Sequence, residues 1–314
     1  QISILLNAKI IPITQIMRKT VIDGSNTSGF QRTVMISRDG YVETSHGRVG
    51  IEAVFLEEDS ARAVSREKGK VVWRLDRLGI PLVEISTAPD IKTPEQAKEV
   101  ALHIGNILRS CNVKRGIGTI RQDVNMSLKG GERIELKGMQ DMKIFLKVLK
   151  NEVERQIKLV KEKKSKSEVR NALPDGSTEY LRPMPGSARM YPETDLPLLK
   201  IHRDLINEAK RDLPKLRSEE EVELSKKGLN KDMIKLLFRL NKLNEFKELL
   251  KIIPKPQLIA KVLLMYPKEV AKRENVSLSE VDEILNLSVL EFVLESVKKN
   301  KISEKDIKHV FEKI

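Results

Sequence analysis

A chain of 314 residues is long enough to bury a sizeable core and to divide into two or three domains. With 40% hydrophobic residues, a mean hydropathy of -0.34 and no apolar run of bilayer length, its composition excludes a helical membrane protein. The lone cysteine, Cys111, excludes an internal disulfide and suits a reducing, cytoplasmic setting. A net charge of +13 favours a polyanionic partner, although the Lys- and Glu-rich surface of a thermophile carries the same signature.

The opening QISILLNAKII has no initiator Met, no charged leader and no cleavage site. It reads as the tail of a helix, so the natural polypeptide is expected to begin upstream. Residues 15–95 read as strands and loops. MRKTVIDGSNTSGFQRTVMI alternates apolar positions around a polar centre, and Gly40 and Gly47 are expected to punctuate GYVETSHGRVGIEAVFLEED as hairpin turns. PLVEIS is a short apolar strand with Glu84 in its middle. Thr93 as N-cap, Pro94 at the first helical position and Glu95 in the first turn open a helix, which continues through Val100, Ile104, Ile107 and Leu108. GIGTIRQDVNMSLKGGERIELKG returns to period two, with Gly130 and Gly131 as a two-residue hairpin turn. Residues 141–164 make a second amphipathic helix ending in a solvated lysine-rich run. LRPMPGSARMYPETDLPLL is too rich in proline for either element and is expected as an extended loop.

Beyond this point glycine nearly disappears. Capping boxes opening at Ser218 and Ser277, and Pro254, Pro256 and Pro267, punctuate a series of short helices. Ile234, Leu237, Phe238, Leu240 and Leu243 have helical spacing and are expected to build a core. The expected fold class is therefore α+β: a mixed-sheet domain over residues 1–213, then an all-α helical bundle over 214–314. The helical part holds 21 basic and 17 acidic residues, a small excess that predicts few phosphate contacts.

Four polar clusters occupy the first domain. Arg18, Lys19 and the loop through Gly24, Ser25, Asn26, Ser28, Gly29, Gln31 and Arg32 offer backbone N–H groups and cations to an anion, but also read as a long polar hairpin. Glu57, Glu58 and Asp59 follow an apolar strand, as an exposed strand end does. Glu84 costs several kcal/mol in an apolar strand unless it is paired, binds metal or faces solvent. Arg121, Asp123 and Asn125 alternate across from Glu135 and Lys137. Acids on different strands beside cations suit Mg²⁺ working with phosphates. There is no Cys/His spacing for zinc, no Walker loop and no motif for nucleophilic catalysis.

MRKTVIDGSNTSGFQRT, FLEEDSAR, RLDRLGIPLVEISTAPDI, GIGTIRQDVNMSLKGGERIELKG and YLRPMPGSARMYPETDLP resemble the GatB/GatE family, the tRNA-binding kinase subunits of tRNA-dependent amidotransferases. The motifs are closer to the archaeal E type than to the bacterial B type, and the match runs from about residue 17 to 200. The resemblance implies a "cradle" domain followed by helical and tail domains. It also implies an ATP-dependent phosphorylation of glutamate carried on tRNA(Gln), then amidation with ammonia from an asparaginase-like amidotransferase partner of the D type. Glu-tRNA(Gln) is the implied substrate, ATP and Mg²⁺ the cofactors, and a heterotetramer of two D-type and two E-type chains the assembly. By the same resemblance Glu58 and Glu84 hold Mg²⁺ and, with Asp123, form the catalytic set, with the choice between Glu57 and Glu58 as the ligand left open. Arg18, Lys19, Ser25, Asn26, Ser28, Gly29, Gln31, Arg32 and Lys137 bind ATP phosphates.

Three family features are expected but not seen here: a Gly-x-Glu-x-His segment upstream, an AspRS-like insertion after Gln156, and a C-terminal tail domain. A bacterial B-type chain acting on Asp- and Glu-tRNA, or a non-catalytic tRNA-binding derivative, are the alternative readings.

Overall fold

The computed structural model describes residues 1–114, 116, 118–184, 186, 189–240 and 242–314. Ile117 of the GIGT motif and Pro185, Ser187 and Ala188 of the proline-rich stretch lie outside the described residues. The chain divides into two units, Gln1–Pro214 and Lys215–Ile314.

The first unit begins with α1 (Ile2–Leu5), β1 (Lys9–Ile10), β2 (Ile13–Thr14), β3 (Ile16–Thr20), β4 (Phe30–Thr44), β5 (Gly47–Glu58), β6 (Arg62–Glu67), β7 (Lys70–Arg74) and β8 (Pro81–Thr87). It continues with α2 (Pro94–Ser110), β9 (Val124–Met126), β10 (Ile134–Lys137), α3 (Phe145–Lys161), β11 (Glu168–Ala172), β12 (Thr178–Pro183), β13 (Met190–Pro192), β14 (Leu199–Lys200) and α4 (Arg203–Arg211). The main sheet has the order β13-β3-β4-β5-β8, with β1 also on β4, and its pairs are antiparallel. β4 and β5 bury Val34, Val42, Val49, Ile51 and Ala53, and α1 and α2 lie against β4. The helix α2 opens as its sequence predicts, with the Gln96 N–H donating to Thr93 Oγ1 at 3.2 Å and Pro94 at its first position.

Two glycines differ in role. Gly47 closes the β4–β5 turn at a φ of +106°, where L side chains are strained. Gly40 makes no turn. It lies inside β4, where an added Cβ would stand 2.5 Å from the Leu6 carbonyl oxygen, so glycine admits the chain after α1 across the strand. β8 is an edge strand, and Pro81 at its first residue is tolerated there because it owes no N–H to a neighbour. Glu84 keeps much of its residue surface open to solvent, while its carboxyl end turns towards Glu57 and is partly desolvated there.

The second sheet has the order β12-β11-β10-β9. Mixed pairing is confined to it: β10 and β11 run parallel, as a strand pair joined through a crossover helix must, and α3 is that crossover. The residues joining β9 to β10 are 127–133, with a turn closed by Gly131 N–H to the Leu128 carbonyl at 2.9 Å. The expected two-residue hairpin at Gly130 and Gly131 is thus a longer loop. Ile134, Leu136, Phe145, Val148 and Leu149 pack together between this sheet and α3. The proline-rich stretch is only partly a loop, since it begins in β12, carries β13 in its middle and ends in β14, and β12 and β13 both terminate on a proline.

The second unit is helical throughout its described elements: α5 (Arg217–Lys226), α6 (Lys231–Arg239), α7 (Leu243–Ile252), α8 (Pro256–Leu264), α9 (Tyr266–Glu274), α10 (Leu278–Ile284), α11 (Leu287–Lys298) and α12 (Ile307–Phe311). Ile234 and Leu237 are buried in its core, and Phe238, Leu240 and Leu243 pack against it partly exposed. At α10 the capping box forms, with Glu280 N–H donating to Ser277 Oγ and Ser277 N–H donating to Glu280 Oε2 at 2.8 Å. At α5 the N-cap lies two residues earlier than the capping signal at Ser218. Leu216 is the N-cap, its N–H donates to Glu219 Oε2, and Ser218 sits inside the first turn.

Candidate active site

Strand alternation divides the polar residues of the main sheet between two faces. Lys19 pairs with Gln31, Thr33 with Glu57 and Phe55 with Glu84, so Lys19, Gln31, Thr33, Glu57 and Glu84 share one face. Glu57 is buried there. Its Oε1 accepts from Lys19 Nζ at 2.8 Å and from Thr33 Oγ1 at 2.9 Å, and its Oε2 accepts from Gln31 Nε2 at 3.2 Å. Glu84 lies diagonally across. Loss of hydration and the neighbouring Glu57 raise its pKa above the ordinary carboxylate value, with Lys19 opposing and Asp123 adding to the rise. Two carboxylates pressed together in this way need a proton or a cation between them.

Arg18, Arg32 and Glu58 occupy the opposite face. Glu58 Oε1 accepts from Arg32 Nη1 at 3.2 Å. Of the two acids left open as partner to Glu84, register places Glu57 beside it and Glu58, the expected one, on the opposite face, because adjacent strand residues point apart. Register likewise places Arg18 and Arg32, expected on ATP phosphates beside that pair, on the face away from it. Both arginines instead hold Glu193, whose side chain is 0% exposed. Arg32 Nε donates to Glu193 Oε2 at 2.7 Å, Arg18 Nη2 bonds Glu193 Oε1, and Arg18 also reaches Asp195 at 2.9 Å. Hydrogen bonding from Arg18 and the Asp195 N–H, with further support from Arg32, outweighs desolvation and lowers the Glu193 pKa to about 2, while Glu193 raises that of Arg18. The Phe30 ring lies 4.4 Å from the Arg18 guanidinium carbon.

The loop between β3 and β4 is closed by its own polar groups. Asp23 Oδ1 accepts from the Ser25 N–H at 2.9 Å and from Ser25 Oγ at 2.6 Å. Desolvation opposes the charge of Asp23, but these bonds prevail and hold its pKa below the ordinary value. Asn26 Oδ1 accepts from Ser60 Oγ at 2.8 Å, which ties the loop to the end of β5. The side chains of Ser25 and Asn26 are thus buried and committed to the loop, whereas Ser28 and Gly29 face solvent.

From the second sheet, Lys137 Nζ donates to Asp123 Oδ2 at 2.6 Å and pairs with Glu135 at 2.5 Å. Burial opposes its charge, yet these two acids raise its pKa. Asp59 sits 3.6 Å from Arg77 Nε and 3.4 Å from Arg121 Nη2, a cluster for which the sequence offered only the acidic run after β5. Among the described residues no three Asp, Glu, His or Cys side chains converge as a ready metal site. The donor chemistry nevertheless fits Mg²⁺, which binds through one or two carboxylates with waters and substrate phosphates completing its shell. Glu57 and Glu84 supply that pair.

The profile of the GatB/GatE catalytic domain matches residues 1–207, which include both sheets and every residue of this site. The chain belongs to the GatB/GatE family. Its similar GatB/GatE relatives include the E subunit of glutamyl-tRNA(Gln) amidotransferase from Methanocaldococcus jannaschii, 34% identical over 99% of this chain and 71% of the relative. The protein of that name from Pyrococcus abyssi is 34% identical over 91% of this chain and 68% of its own length, and that of Methanococcus maripaludis is 31% identical over 99% and 70%. The alignment with the M. jannaschii protein runs over 451 positions although this chain has 314 residues, so that GatB/GatE relative carries internal sequence with no counterpart here. No described helix is long and apolar enough to cross a membrane.

Proposed function

We propose that this chain is the E-type component of a tRNA-dependent amidotransferase that converts Glu-tRNA(Gln) to Gln-tRNA(Gln) in the cytoplasm. The side-chain carboxylate of the tRNA-borne glutamate attacks the γ-phosphorus of ATP, and ADP leaves. Ammonia from an asparaginase-like partner of the D type then adds to the activated acyl carbon, inorganic phosphate leaves and a proton passes to solvent. Residues 1–213 carry this chemistry, residues 214–314 contact the tRNA, and two D-type and two E-type chains form the assembly.

The observation that carries this reading is the pairing of Glu57 with Glu84 beside Lys19, inside the segment matched by the family's catalytic domain. Glu57 and Glu84 are the residues that would hold Mg²⁺, and the ion when bound neutralises charge on the ATP phosphates. Lys19, Gln31 and Thr33 fix the Glu57 carboxylate in one orientation through three hydrogen bonds. Lys137 keeps its proton between Asp123 and Glu135 and stays a cation at neutral pH, ready to face phosphoryl oxygens together with Ser28 and Gly29 of the loop.

The test is transfer of the γ-phosphate of labelled ATP to Glu-tRNA(Gln) by the full-length chain with its D-type partner. Transfer that needs Mg²⁺ and yields Gln-tRNA(Gln) once ammonia is supplied is the expected result. No transfer to the glutamyl group, with both proteins folded and associated, would overturn the reading.

A further inference from the structure

The β6–β7 ribbon forms a two-stranded sheet of its own, joined to no other strand. Such a hairpin is marginal in water unless something anchors it. Its anchor is at the base. The Trp73 indole Nε1 lies 3.1 Å from where a Cβ on Gly24 would stand, and the Ala61 N–H donates to the Ser25 carbonyl at 2.9 Å. The ribbon is thereby fixed against the same loop that borders the candidate active site, and the rest of it is exposed.

Its charges are arranged unlike those around the candidate site. Arg18, Arg32, Arg77, Arg121 and Lys137 all face an acid. Arg62, Lys68, Lys70 and Arg74 make no ion pair among the described residues. Arg62 stands directly opposite Arg74 in the ladder, an arrangement that destabilises a hairpin by like-charge repulsion. Glu67, the only acid between residues 62 and 74, lies opposite Lys70 without closing to ion-pair distance. Pairing assigns Arg62, Ser65, Glu67, Lys70, Val72 and Arg74 to one face, with Glu67 at the turn end away from the Arg62–Arg74 pair, and Arg66 and Trp73 to the other, where Trp73 packs on Gly24. Val64 and Val72 are 62% and 42% exposed, so the cations are interleaved with exposed apolar surface.

We propose that this ribbon grips the phosphodiester backbone of the RNA substrate through Arg62 and Arg74, a contact that rests on the tRNA reading above. A phosphate accepted between the two guanidinium groups removes their repulsion and uses the forked geometry that arginine presents to phosphate. A two-stranded ribbon is narrow enough to follow the wide, shallow minor groove of an A-form stem, with its valines against ribose. Anchored beside the loop of the candidate active site, it would hold the acceptor end of the tRNA at the reacting glutamate.

The experiment uses the full-length chain carrying Arg62→Ala with Arg74→Ala, and separately Arg62→Lys with Arg74→Lys. Unacylated tRNA(Gln) is titrated over a salt series without ATP. We expect the alanine pair to weaken binding roughly tenfold or more and to lower the log–log salt slope by about two, one for each lost phosphate contact. The lysine pair should keep the slope, and both variants should melt with the wild type and keep its KM for ATP. Unchanged affinity and slope in the alanine pair overturns the proposal, as does equal loss of slope in the lysine pair. A raised KM for ATP with intact tRNA binding assigns the ribbon to the nucleotide, and loss of the D-type partner alone assigns it to a protein contact; either overturns the RNA contact. A wild type that binds tRNA but transfers no phosphate refutes the proposed function and leaves this contact standing.

Discussion

The two faces of the main sheet are built from the same residue types and behave oppositely. On one, Glu58, Glu193 and Asp195 each form an ion pair with Arg18 or Arg32. On the other, Glu57 and Glu84 press on each other with a single cation, Lys19, bonded to Glu57. The first set is complete as it stands. Each set holds one more acid than base; in the second, Glu84 has no ion pair among the described residues and its charge is left to Glu57 and solvent, a place where a bound cation would be stabilised. A count of acids and bases along the chain does not separate the two sets; strand register does.

The largest effect that follows is on Glu84. Glu84→Gln keeps the shape, relieves the repulsion with Glu57 and should leave the melting temperature at or above that of the wild type. Phosphoryl transfer to Glu-tRNA(Gln) should fall by at least about a hundredfold, since a metal ligand supplies several kcal/mol of charge stabilisation. Next in size, Lys19→Ala should lower transfer by roughly tenfold through loss of a charge-assisted bond that orients Glu57. Arg18→Ala, one residue away, should leave transfer near the wild-type rate and lower the melting temperature instead. Equal losses of activity in the two would break the distinction between the faces.

The sequence made the polar residues of the candidate site legible and left their facing ambiguous. Glu84 was visible as an acid among Leu, Val and Ile, and the alternation of Asp123 with Lys137 appears in the structure as a 2.6 Å contact. Glu57 and Glu58 are adjacent, and alternation says only that they face apart. Which of them meets Glu84 depends on the β5–β8 register, and that register shifts between Ile51 and Ala53. Glu193 was hidden for a different reason. It lies in a proline-rich stretch that reads as loop, and its two arginine partners are more than a hundred residues earlier in the chain. Gly40 misled because glycine marks a turn and a close crossing equally well.

Glu193→Gln sharpens the comparison from the other side. Removing its charge leaves Arg18 and Arg32 without their main partner, and the melting temperature should fall by several degrees while phosphoryl transfer by the folded protein persists. A smaller effect accompanies it in acid. Because the Glu193 pKa lies near 2 against an ordinary 4.5, its contribution to stability is present above 4.5 and is lost as pH falls towards 2. Melting temperatures followed from neutral pH into that range should drop more steeply for the wild type than for Glu193→Gln, and parallel curves would remove Glu193 from the account.

Glu57→Gln against Glu58→Gln, compared in one assay of ATP-dependent phosphorylation of Glu-tRNA(Gln), tests the division of the faces most directly. The two substitutions are chemically identical and one residue apart, so composition and local charge are held constant. Loss of transfer in Glu57→Gln with transfer retained in Glu58→Gln is the expected result. The reverse, transfer lost in Glu58→Gln and retained in Glu57→Gln, would contradict the assignment of the metal-binding face.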